Sequence, residues 1–301
     1  MIRAGTIDDA PALHALVNAV YLDRVMTVAG WRHTLAEGAE RAQAAWFAAL
    51  EGDRLVGWAS TGLEMFTSEP GVAWMHVTVH PDTRREGLGT ALHEAAVDRL
   101  RGLDARRVLG SSRDDDDTIR FLEDRGWTRT GEQRISAVDP HTVEPASPPR
   151  AVELAPFSAF AADPRPLYEV DIAASEDMPL DAPFDNVSFD DWLRQWWSHP
   201  DVDHDVSAAV LVGGVPVAIS MMRIDRAAGR AANDITGTLR EHRGRGLATL
   251  VKREALRRAA EAGATVVITE NDETNAAMLR VNERLGYKPH SRRVSWVKEL
   301  A

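Results

Sequence analysis

Two short stretches of the chain decide its fold: RREGLG at residues 84–89 and RGRGLA at residues 243–248. Both follow the pattern R-x-x-G-x-G/A. A strand-like run leads into each stretch, at residues 73–79 and at residues 232–238, and helical periodicity follows each one directly. The chain therefore repeats one strand–turn–helix unit, and such a repeat sets the architecture before any single residue is considered.

The surroundings of the two turns repeat in the same order. Each half is predicted to contain a strand, helices, a hairpin, a strand, the glycine turn, a helix, a strand, a second helix and a final strand. The hairpins, the helices after the turns and the strands after those helices are predicted at residues 47–59 and 208–222, 88–100 and 247–259, and 108–109 and 266–268. This order predicts a mixed α/β domain of about 140–150 residues, present twice.

A proline-rich segment separates the two halves. Residues 139–149 contain four prolines and few apolar side chains, which is typical of a semi-extended linker. We therefore expect an N-terminal domain at residues 1–138 and a C-terminal domain at residues 150–301.

The composition excludes several classes of protein. The 301 residues carry a net charge of −11, which argues against nucleic-acid and anionic-membrane partners because these need a basic surface. The chain has no cysteine, so disulfides, thiolate metal sites and cysteine nucleophiles are excluded. No run approaches the roughly 20 apolar residues of a membrane helix, and the first residues do not resemble a signal peptide. We expect a protein of the bacterial cytoplasm.

An acidic run, Asp114–Asp117, raises the question of a metal site. It has no histidine at ligand spacing, so it is predicted to be a solvated loop and a helix N-cap. A metal site and an acidic lip at the mouth of a binding site are the alternatives. No metal cofactor is expected.

The glycine turn has a physical use. A strand that runs through glycines into a helix exposes backbone N–H groups at the helix N-terminus, which suits a phosphate or pyrophosphate. Gly87, Gly89 and Gly246 would let the backbone approach such a ligand closely, and Arg84 and Arg243 could add bidentate contacts. The alternative is an ordinary strand–turn–helix connection. The second copy in the same context favours the phosphate site.

These residues resemble the acetyl-CoA motif of the GNAT N-acetyltransferases. The resemblance rests on residues 79–89 and 239–248, and the opening residues 2–10 are similar to the family's first strand and helix. The most specific match is at residues 269–287, which resemble the family's last helix. The resemblance implies two tandem GNAT-like domains, each a mixed, mostly antiparallel sheet flanked by helices, with acetyl-CoA as cosubstrate.

The resemblance also implies which residues bind coenzyme A. In the family the turn cradles the pyrophosphate, and the strand before it pairs with the pantetheine arm. The corresponding residues of the first copy are Val77, Val79, Arg84, Arg85, Gly87, Leu88, Gly89 and Thr90. Those of the second copy are Thr236, Thr238, Leu239, Arg243, Gly244, Arg245, Gly246, Leu247, Ala248, Thr249, Asn271 and Asn275.

The resemblance favours the C-terminal domain as the catalyst, with the N-terminal domain as a scaffold or as a second, degenerate coenzyme A site. Family enzymes that use a side-chain base commonly carry it nine or eleven residues before the arginine of the turn. These positions hold Asp234 and Ala232 in the second copy, but Met75 and Ala73 in the first. Asp234 is therefore the candidate base, with Glu270, Asp272 and Glu273 as rivals and a proton relay through water as a further alternative. An ion pair with an arginine is the alternative role of Asp234.

The family's last helix often carries a tyrosine that protonates the leaving thiolate. Asn282 occupies that position here, seven residues after Asn275, and an amide cannot supply the proton as a phenol can. The first copy has Asp115 and Leu122 at the two positions. Asn282 stays a candidate at the catalytic centre, although water could protonate the thiolate. Tyr287, after the final glycine, is predicted to fill the core, with the role of proton donor as the alternative.

The resemblance thus implies an acetyl-CoA-dependent N-acyltransferase that moves an acetyl group to a primary amine of a small molecule by direct attack in a ternary complex. Acidic residues beside Trp192, Trp196 and Trp197 would suit a cationic, partly apolar amine, or the tryptophans could form a buried stripe. A non-catalytic coenzyme A sensor or scaffold is the alternative function. The amine, the acyl chain length and the oligomeric state stay open.

Overall fold

The computed structural model describes residues 1–21 and 23–300, except for the side chains of residues 39 and 40. The chain divides into two compact units. The N-terminal unit contains Met1–Glu132, Leu180–Asn186 and Arg292–Ala301, and the C-terminal unit contains Gln133–Pro179 and Val187–Ser291. Each unit is a mixed sheet with helices packed against it.

Strands and helices alternate along the chain in the order that the repeat predicts. The strands are β1 (Ile2–Ala4), β2 (Ala45–Glu51), β3 (Arg54–Leu63), β4 (Val72–Val79), β5 (Arg107–Arg113), β6 (Thr128–Val138), β7 (Val152–Pro156), β8 (Ala208–Val212), β9 (Val215–Asp225), β10 (Arg230–Thr238), β11 (Val266–Asp272) and β12 (Lys288–Glu299). The helices are α1 (Ala10–Val20), α2 (Val28–Arg41), α3 (Leu88–Arg101), α4 (Asp116–Glu123), α5 (Arg165–Ser175), α6 (Phe189–Trp192), α7 (Leu247–Glu261) and α8 (Ala276–Arg284). Across the described residues, no helix is both long and apolar enough to span a bilayer.

The N-terminal unit is built on a sheet with the strand order β1-β2-β3-β4-β5-β12. Neighbouring strands run antiparallel except β4 and β5, which are parallel because α3 connects them as a crossover. Side chains alternate between the faces of β2, so Ala49 packs towards α3 with Leu92 and Leu100, while Ala48 packs towards α1 with Leu13. Helices therefore cover both faces of this sheet.

The two parallel strands of this unit separate at their carboxyl ends. In the described residues their pairing ends with Trp74 opposite Leu109, whereas β4 continues to Val79 and β5 continues to Arg113. The unpaired strand ends leave a gap in the sheet beside the first turn of α3. Backbone N–H and C=O groups on the facing edges of this gap are left for a ligand or water.

The C-terminal unit has the equivalent strand order β6-β11-β10-β9-β8-β7. Its neighbouring strands are antiparallel except β10 and β11, whose parallel pairing ends with Asn233 opposite Thr269. A β-bulge at Asp234 then shifts the register of β10 against β9, which bends the strand at this point. On one face α7 packs through Val251 and Ala255. Trp192 of α6 lies in a separate core cluster with Leu167 and Val170 of α5.

The last strand of each sequence repeat pairs in the sheet of the other unit. In the N-terminal unit residues 293–299 of β12 pair antiparallel with β5, and in the C-terminal unit residues 133–138 of β6 pair antiparallel with β11. The compact units consequently differ from the consecutive segments 1–138 and 150–301 of the sequence repeat. The physical reason is that apolar alternation identifies a strand but does not say which sheet it joins.

Candidate functional site

At the glycine turn of the N-terminal unit, the backbone at the start of α3 and the side chain of Arg84 border an open space. Gly87, at φ +84°, is the N-cap of α3, and a Cβ added there would meet no heavy atom within 4 Å. Arg84 donates from Nε to the Val79 carbonyl at 3.3 Å, which holds the guanidinium group at the end of β4. Its two terminal nitrogens have no partner in the part of the chain that the structure describes. The first N–H groups of α3 are likewise available to an anion.

A cavity of about 420 Å³ lies beside this turn, inside the N-terminal unit. Its wall contains seven of the predicted cofactor residues, namely Val77, Val79, Arg84, Arg85, Gly87, Gly89 and Thr90. Leu88, the eighth, packs against the core of the unit instead. Phe121, Trp127 and Trp296 contribute aromatic side chains to the wall. The volume falls in the range of small-molecule sites, about 300–1,000 Å³.

One histidine lines the cavity from α3. His93 is only 6% exposed, and its Nε2 accepts a hydrogen bond of 3.0 Å from Trp127 Nε1. Burial, and then the charges of Arg125 and Lys298, lower the pKa of His93 to about 4, so the ring is neutral at pH 7. Sequence reasoning missed this residue. The signal that could have found it is its place one helical turn after Gly89, on the same face.

Two other polar groups of the cavity wall are engaged by the protein. Arg85 forms an ion pair with Asp117. Arg125 donates to Thr90 Oγ1 at 2.6 Å. Arg84 thus differs from Arg85 in having its terminal nitrogens available, and it is the better candidate for a phosphate contact.

The acidic run beside the cavity acts as a helix cap. Asp115 is the N-cap of α4, and its side chain accepts a hydrogen bond of 3.0 Å from the Thr118 backbone N–H, as predicted. Over the described ranges, no group of three or more histidine or acidic side chains is placed to hold a metal ion.

The glycine turn of the C-terminal unit has a similar backbone conformation, but its arginines are hydrogen-bonded to a carboxylate. Gly246, at φ +76°, is the N-cap of α7, and Arg243 donates from Nε to the Thr238 carbonyl at 3.0 Å. Here Nη1 of Arg243 also donates to Oδ2 of Asp177 at 2.5 Å, and Arg240 donates to Oδ1 at 2.6 Å. These contacts, with Arg243 the larger influence, hold the pKa of the Asp177 carboxyl below its usual range.

The other predicted cofactor residues of this copy lie on the turn and its flanking elements. Thr236, Thr238 and Leu239 end or follow β10, Gly244 and Arg245 form the turn, Leu247, Ala248 and Thr249 open α7, and Asn271 lies on β11. Leu247 is buried in the core, and the Thr238 hydroxyl is buried with no partner among the described residues. Asn275 caps α8, where its side chain accepts from the Met278 N–H at 3.1 Å.

The three catalytic candidates have separate partners. Asp234, at the bulge of β10, forms an ion pair with Arg223, which is the alternative role stated for it above. Glu270 is an exposed residue of β11 whose backbone pairs with Ile135 of β6. Asn282 is enclosed, with 2% of the residue exposed.

Asn282 belongs to a buried polar network within the C-terminal unit. Its Oδ1 accepts from Lys252 Nζ at 2.7 Å, and its Nδ2 donates to Asn271 Oδ1 at 2.6 Å. The Lys252 ammonium lies 4.9 Å from the ring centroid of Tyr287, which fills the core as predicted. Burial lowers the pKa of Lys252 to about 7. The amide of Asn282 is therefore engaged by the protein, as is that of Asn271, which was predicted to bind the cofactor.

Sequence reasoning missed two buried charges of the C-terminal unit. Lys252 stands six residues after Gly246, the place that His93 has in the first copy. Asp171 on α5 is 4% exposed, accepts from Trp192 Nε1 at 2.8 Å, and has a pKa raised by burial to about 6. Its signal is a carboxylate on the apolar face of a helix. Trp192 is fully buried, so the buried-stripe alternative holds for this tryptophan.

Comparison with known proteins agrees with this architecture. A family model described as acetyltransferase (GNAT) family matches residues 11–127, and one described as acetyltransferase (GNAT) domain matches residues 147–288. A comparison with curated proteins gives no match. The chain belongs to the GNAT acetyltransferases and carries the GNAT domain twice, in tandem.

Solved structures share the fold along nearly the whole chain. A GCN5-related N-acetyltransferase from Sphaerobacter thermophilus is 20% identical, with a TM-score of 0.73 over 99% of this chain and 95% of that chain. A tandem GNAT protein from the clavulanic acid biosynthesis pathway is 19% identical, with a TM-score of 0.72 over 99% of this chain and 98% of that chain. A putative acetyltransferase from Pyrococcus horikoshii is 12% identical, with a TM-score of 0.64 over 100% and 89%.

Proposed function

We propose that the chain is an acetyl-CoA-dependent N-acyltransferase that moves an acetyl group to a primary amine of a small molecule by direct attack in a ternary complex. The observation that carries this proposal is the cavity of about 420 Å³ at the N-terminal turn. The cosubstrate supplies an activated acyl group, and the protein's part is to hold it beside an amine that has lost its proton.

The residues around the cavity fit both parts of coenzyme A. At the turn, the terminal nitrogens of Arg84 and the first N–H groups of α3 suit a pyrophosphate, and the space at Gly87 allows close approach. Beyond the turn, Val77, Val79 and Phe121 offer an apolar wall for a flexible arm. The edge of β4 past Trp74 can pair with amide groups of that arm.

We place the first cofactor site in the N-terminal unit, although the sequence favours the C-terminal unit for catalysis. In the C-terminal unit Asp177 already neutralises Arg243, and the candidate base Asp234 is paired with Arg223. Asp234 and Glu270 remain candidate bases of that unit. The C-terminal turn becomes a second site when Asp177 releases its arginines.

A non-catalytic coenzyme A sensor or scaffold remains the second candidate. The observation that favours it is that Asp234 is ion-paired and the amide of Asn282 is engaged by Lys252 and Asn271. An assay for thiol release over a panel of amines separates the two functions. Because the chain has no cysteine, the protein itself contributes no thiol background.

The test of the cofactor site is a calorimetric titration of the full chain with acetyl-CoA. We expect one site per chain for the wild type. Gly87→Asp should abolish binding because it places a negative charge where the pyrophosphate belongs, whereas Gly87→Asn has the same shape, tolerates positive φ and should retain binding. Gly246→Asp, the matched change at the other turn, should leave binding intact.

Each other outcome has a definite meaning for the proposal. If folded wild-type protein does not bind acetyl-CoA, the acyltransferase proposal is wrong. Loss of binding in Gly246→Asp with full binding in Gly87→Asp would move the site to the C-terminal unit. Two sites in the wild type would mean that the Asp177 contact does not exclude the ligand.

A further inference from the structure

His93 presents a hydrogen-bond donor to the cavity of the N-terminal unit. The Trp127 indole N–H can only donate, so Nε2 of His93, 3.0 Å away, must accept. The neutral ring therefore carries its proton on Nδ1. In the part of the chain that the structure describes, this N–H has no protein partner, and the ring forms part of the cavity wall. A donor on the wall of a cavity is favoured when a ligand or water accepts from it.

Helix geometry places this donor beyond the phosphate end of the cavity. His93 follows Gly89 by four residues, so both lie on one face of α3, about 6 Å apart along the helix axis. Arg84 and Gly87 mark the end that suits a phosphate. When the phosphate of a ligand lies at the turn, the chemical group attached to that phosphate lies next to His93.

We infer that His93 Nδ1–H donates a hydrogen bond to an amide carbonyl of the pantetheine arm of bound acetyl-CoA. This inference rests on the proposed function and deepens it. An amide carbonyl that enters a space walled by Phe121, Trp127 and Trp296 loses hydrogen bonds to water, and a donor on the wall replaces one of them. The site thereby selects an acyl-pantetheine thioester over a bare nucleotide.

Because the His93 ring is neutral, it should affect the binding of the pantetheine arm and not that of the phosphates. Burial, and then the positive charges of Arg125 and Lys298, lower the pKa of His93 and keep the imidazole uncharged at pH 7. An uncharged donor adds little attraction for a phosphate group several ångströms away. Affinity for the nucleotide part should consequently be independent of His93.

The C-terminal unit provides an internal comparison. Lys252 occupies the position equivalent to His93, and Tyr287 occupies the position equivalent to Trp127. Lys252 is 1% exposed and its Nζ donates to Asn282. The second copy thus uses this position inside its own polar network, whereas the first copy leaves a donor at the cavity.

The experiment compares two ligands that differ by the arm. The full chain is titrated calorimetrically with acetyl-CoA and with 3′-phosphoadenosine 5′-diphosphate, which carries the same phosphates and no pantetheine. His93→Phe keeps a ring but removes the donor. His93→Gln keeps an acceptor for Trp127 and a donor for the cavity. His76→Phe, on β4 and outside the cavity wall, is the matched control.

The expected result is a change in selectivity between the ligands. His93→Phe should weaken acetyl-CoA binding by about tenfold, the size expected for one lost hydrogen bond, and should change nucleotide affinity by less than about twofold. His93→Gln should recover most of the loss, and His76→Phe should behave as the wild type.

Two outcomes overturn the inference while the proposed function stands. One is wild-type acetyl-CoA affinity in His93→Phe. The other is an equal loss of affinity for both ligands in that variant, which would mean that His93 stabilises the structure of the turn and does not bind the pantetheine arm. Failure of the wild type to bind acetyl-CoA overturns the proposed function itself, and the inference with it.

Discussion

Asp177 and Arg243 are in direct contact at the C-terminal turn, where the carboxylate Oδ2 lies 2.5 Å from Nη1 of the guanidinium group. The second carboxylate oxygen lies 2.6 Å from Nη2 of Arg240. A carboxylate that bridges two guanidinium groups uses the same charge and donors that a phosphate would use. The N-terminal turn carries no such carboxylate on Arg84 within the described residues. In the C-terminal copy a carboxylate therefore occupies the arginines of the turn, whereas in the N-terminal copy the terminal nitrogens of Arg84 are open to a ligand.

Removing the Asp177 charge should open the C-terminal turn. Asp177→Asn leaves Arg240 and Arg243 without their anionic partner, so we expect the number of 3′-phosphoadenosine 5′-diphosphate sites per chain to rise from one to two in a calorimetric titration. Glu176→Gln removes the same charge one residue earlier and serves as the control. A count that stays at one in Asp177→Asn would mean that the carboxylate does not exclude the ligand.

The two arginines of the N-terminal turn should contribute unequally to binding. Arg84→Gln removes a guanidinium group whose terminal nitrogens are available, and should weaken acetyl-CoA binding by about 10- to 100-fold, the worth of charge-assisted hydrogen bonds. Arg85→Gln removes a group already paired with Asp117 and should cost less than about threefold. Titration calorimetry of both variants measures the ratio. Equal losses would contradict the assignment of Arg84 as the phosphate contact.

The sequence predicts the local elements because each has a short-range cause. The strands at residues 73–79 and 232–238, the glycine turns after them and the helices that follow the turns are predicted from periodicity and glycine chemistry. The exchange of β6 and β12 does not follow, because strand pairing is a long-range choice among similar apolar faces.

The state of the candidate sites was harder to predict for a related reason. The motif identifies Arg84 and Arg243 alike, but the carboxylate on Arg243 comes from Asp177, 66 residues earlier in the chain. The motif does not include His93 or Lys252. Both matter because they are buried and because His93 is bonded to Trp127 and Lys252 to Asn282. These contacts are tertiary, and no local pattern reports them.

Asp171 should make the stability of the C-terminal unit depend on pH in the acidic range. Its pKa is raised by burial to about 6 from an unfolded value near 3.8, so the folded chain holds a proton that the unfolded chain releases between these values. The free energy of unfolding should therefore fall as pH rises from about 4 to 6. Asp171→Asn keeps an acceptor for Trp192 and removes this fall, so relative to wild type it should gain about 2–3 kcal/mol between pH 4 and pH 7.

Urea unfolding followed by tryptophan fluorescence measures this difference at the two pH values. Asp190→Asn, which changes a carboxylate at the start of α6, is the control and should keep the wild-type profile. A constant difference between Asp171→Asn and wild type across the pH range would show that the Asp171 carboxyl titrates normally.

Lys252 should act in the opposite part of the pH range. Burial lowers its pKa to about 7 from an unfolded value near 10.5, so between these values the unfolded chain binds a proton that the folded chain does not. Stability from this group is therefore lowest below pH 7 and rises towards pH 10.5. Lys252→Met cannot titrate, so wild type should gain about 2–3 kcal/mol on the variant between pH 7 and pH 9.5.

The same unfolding measurement tests this slope, with Lys288→Met as the control for loss of a lysine charge at an exposed position. Lys252→Met also leaves Asn282 Oδ1 without its donor, which lowers stability by a similar amount at every pH, so the slope and not the offset carries the prediction. A parallel pair of profiles for wild type and Lys252→Met would mean that the ammonium stays charged inside the network. In that case Asn282, Asn271 and Thr269 would have to stabilise a buried cation.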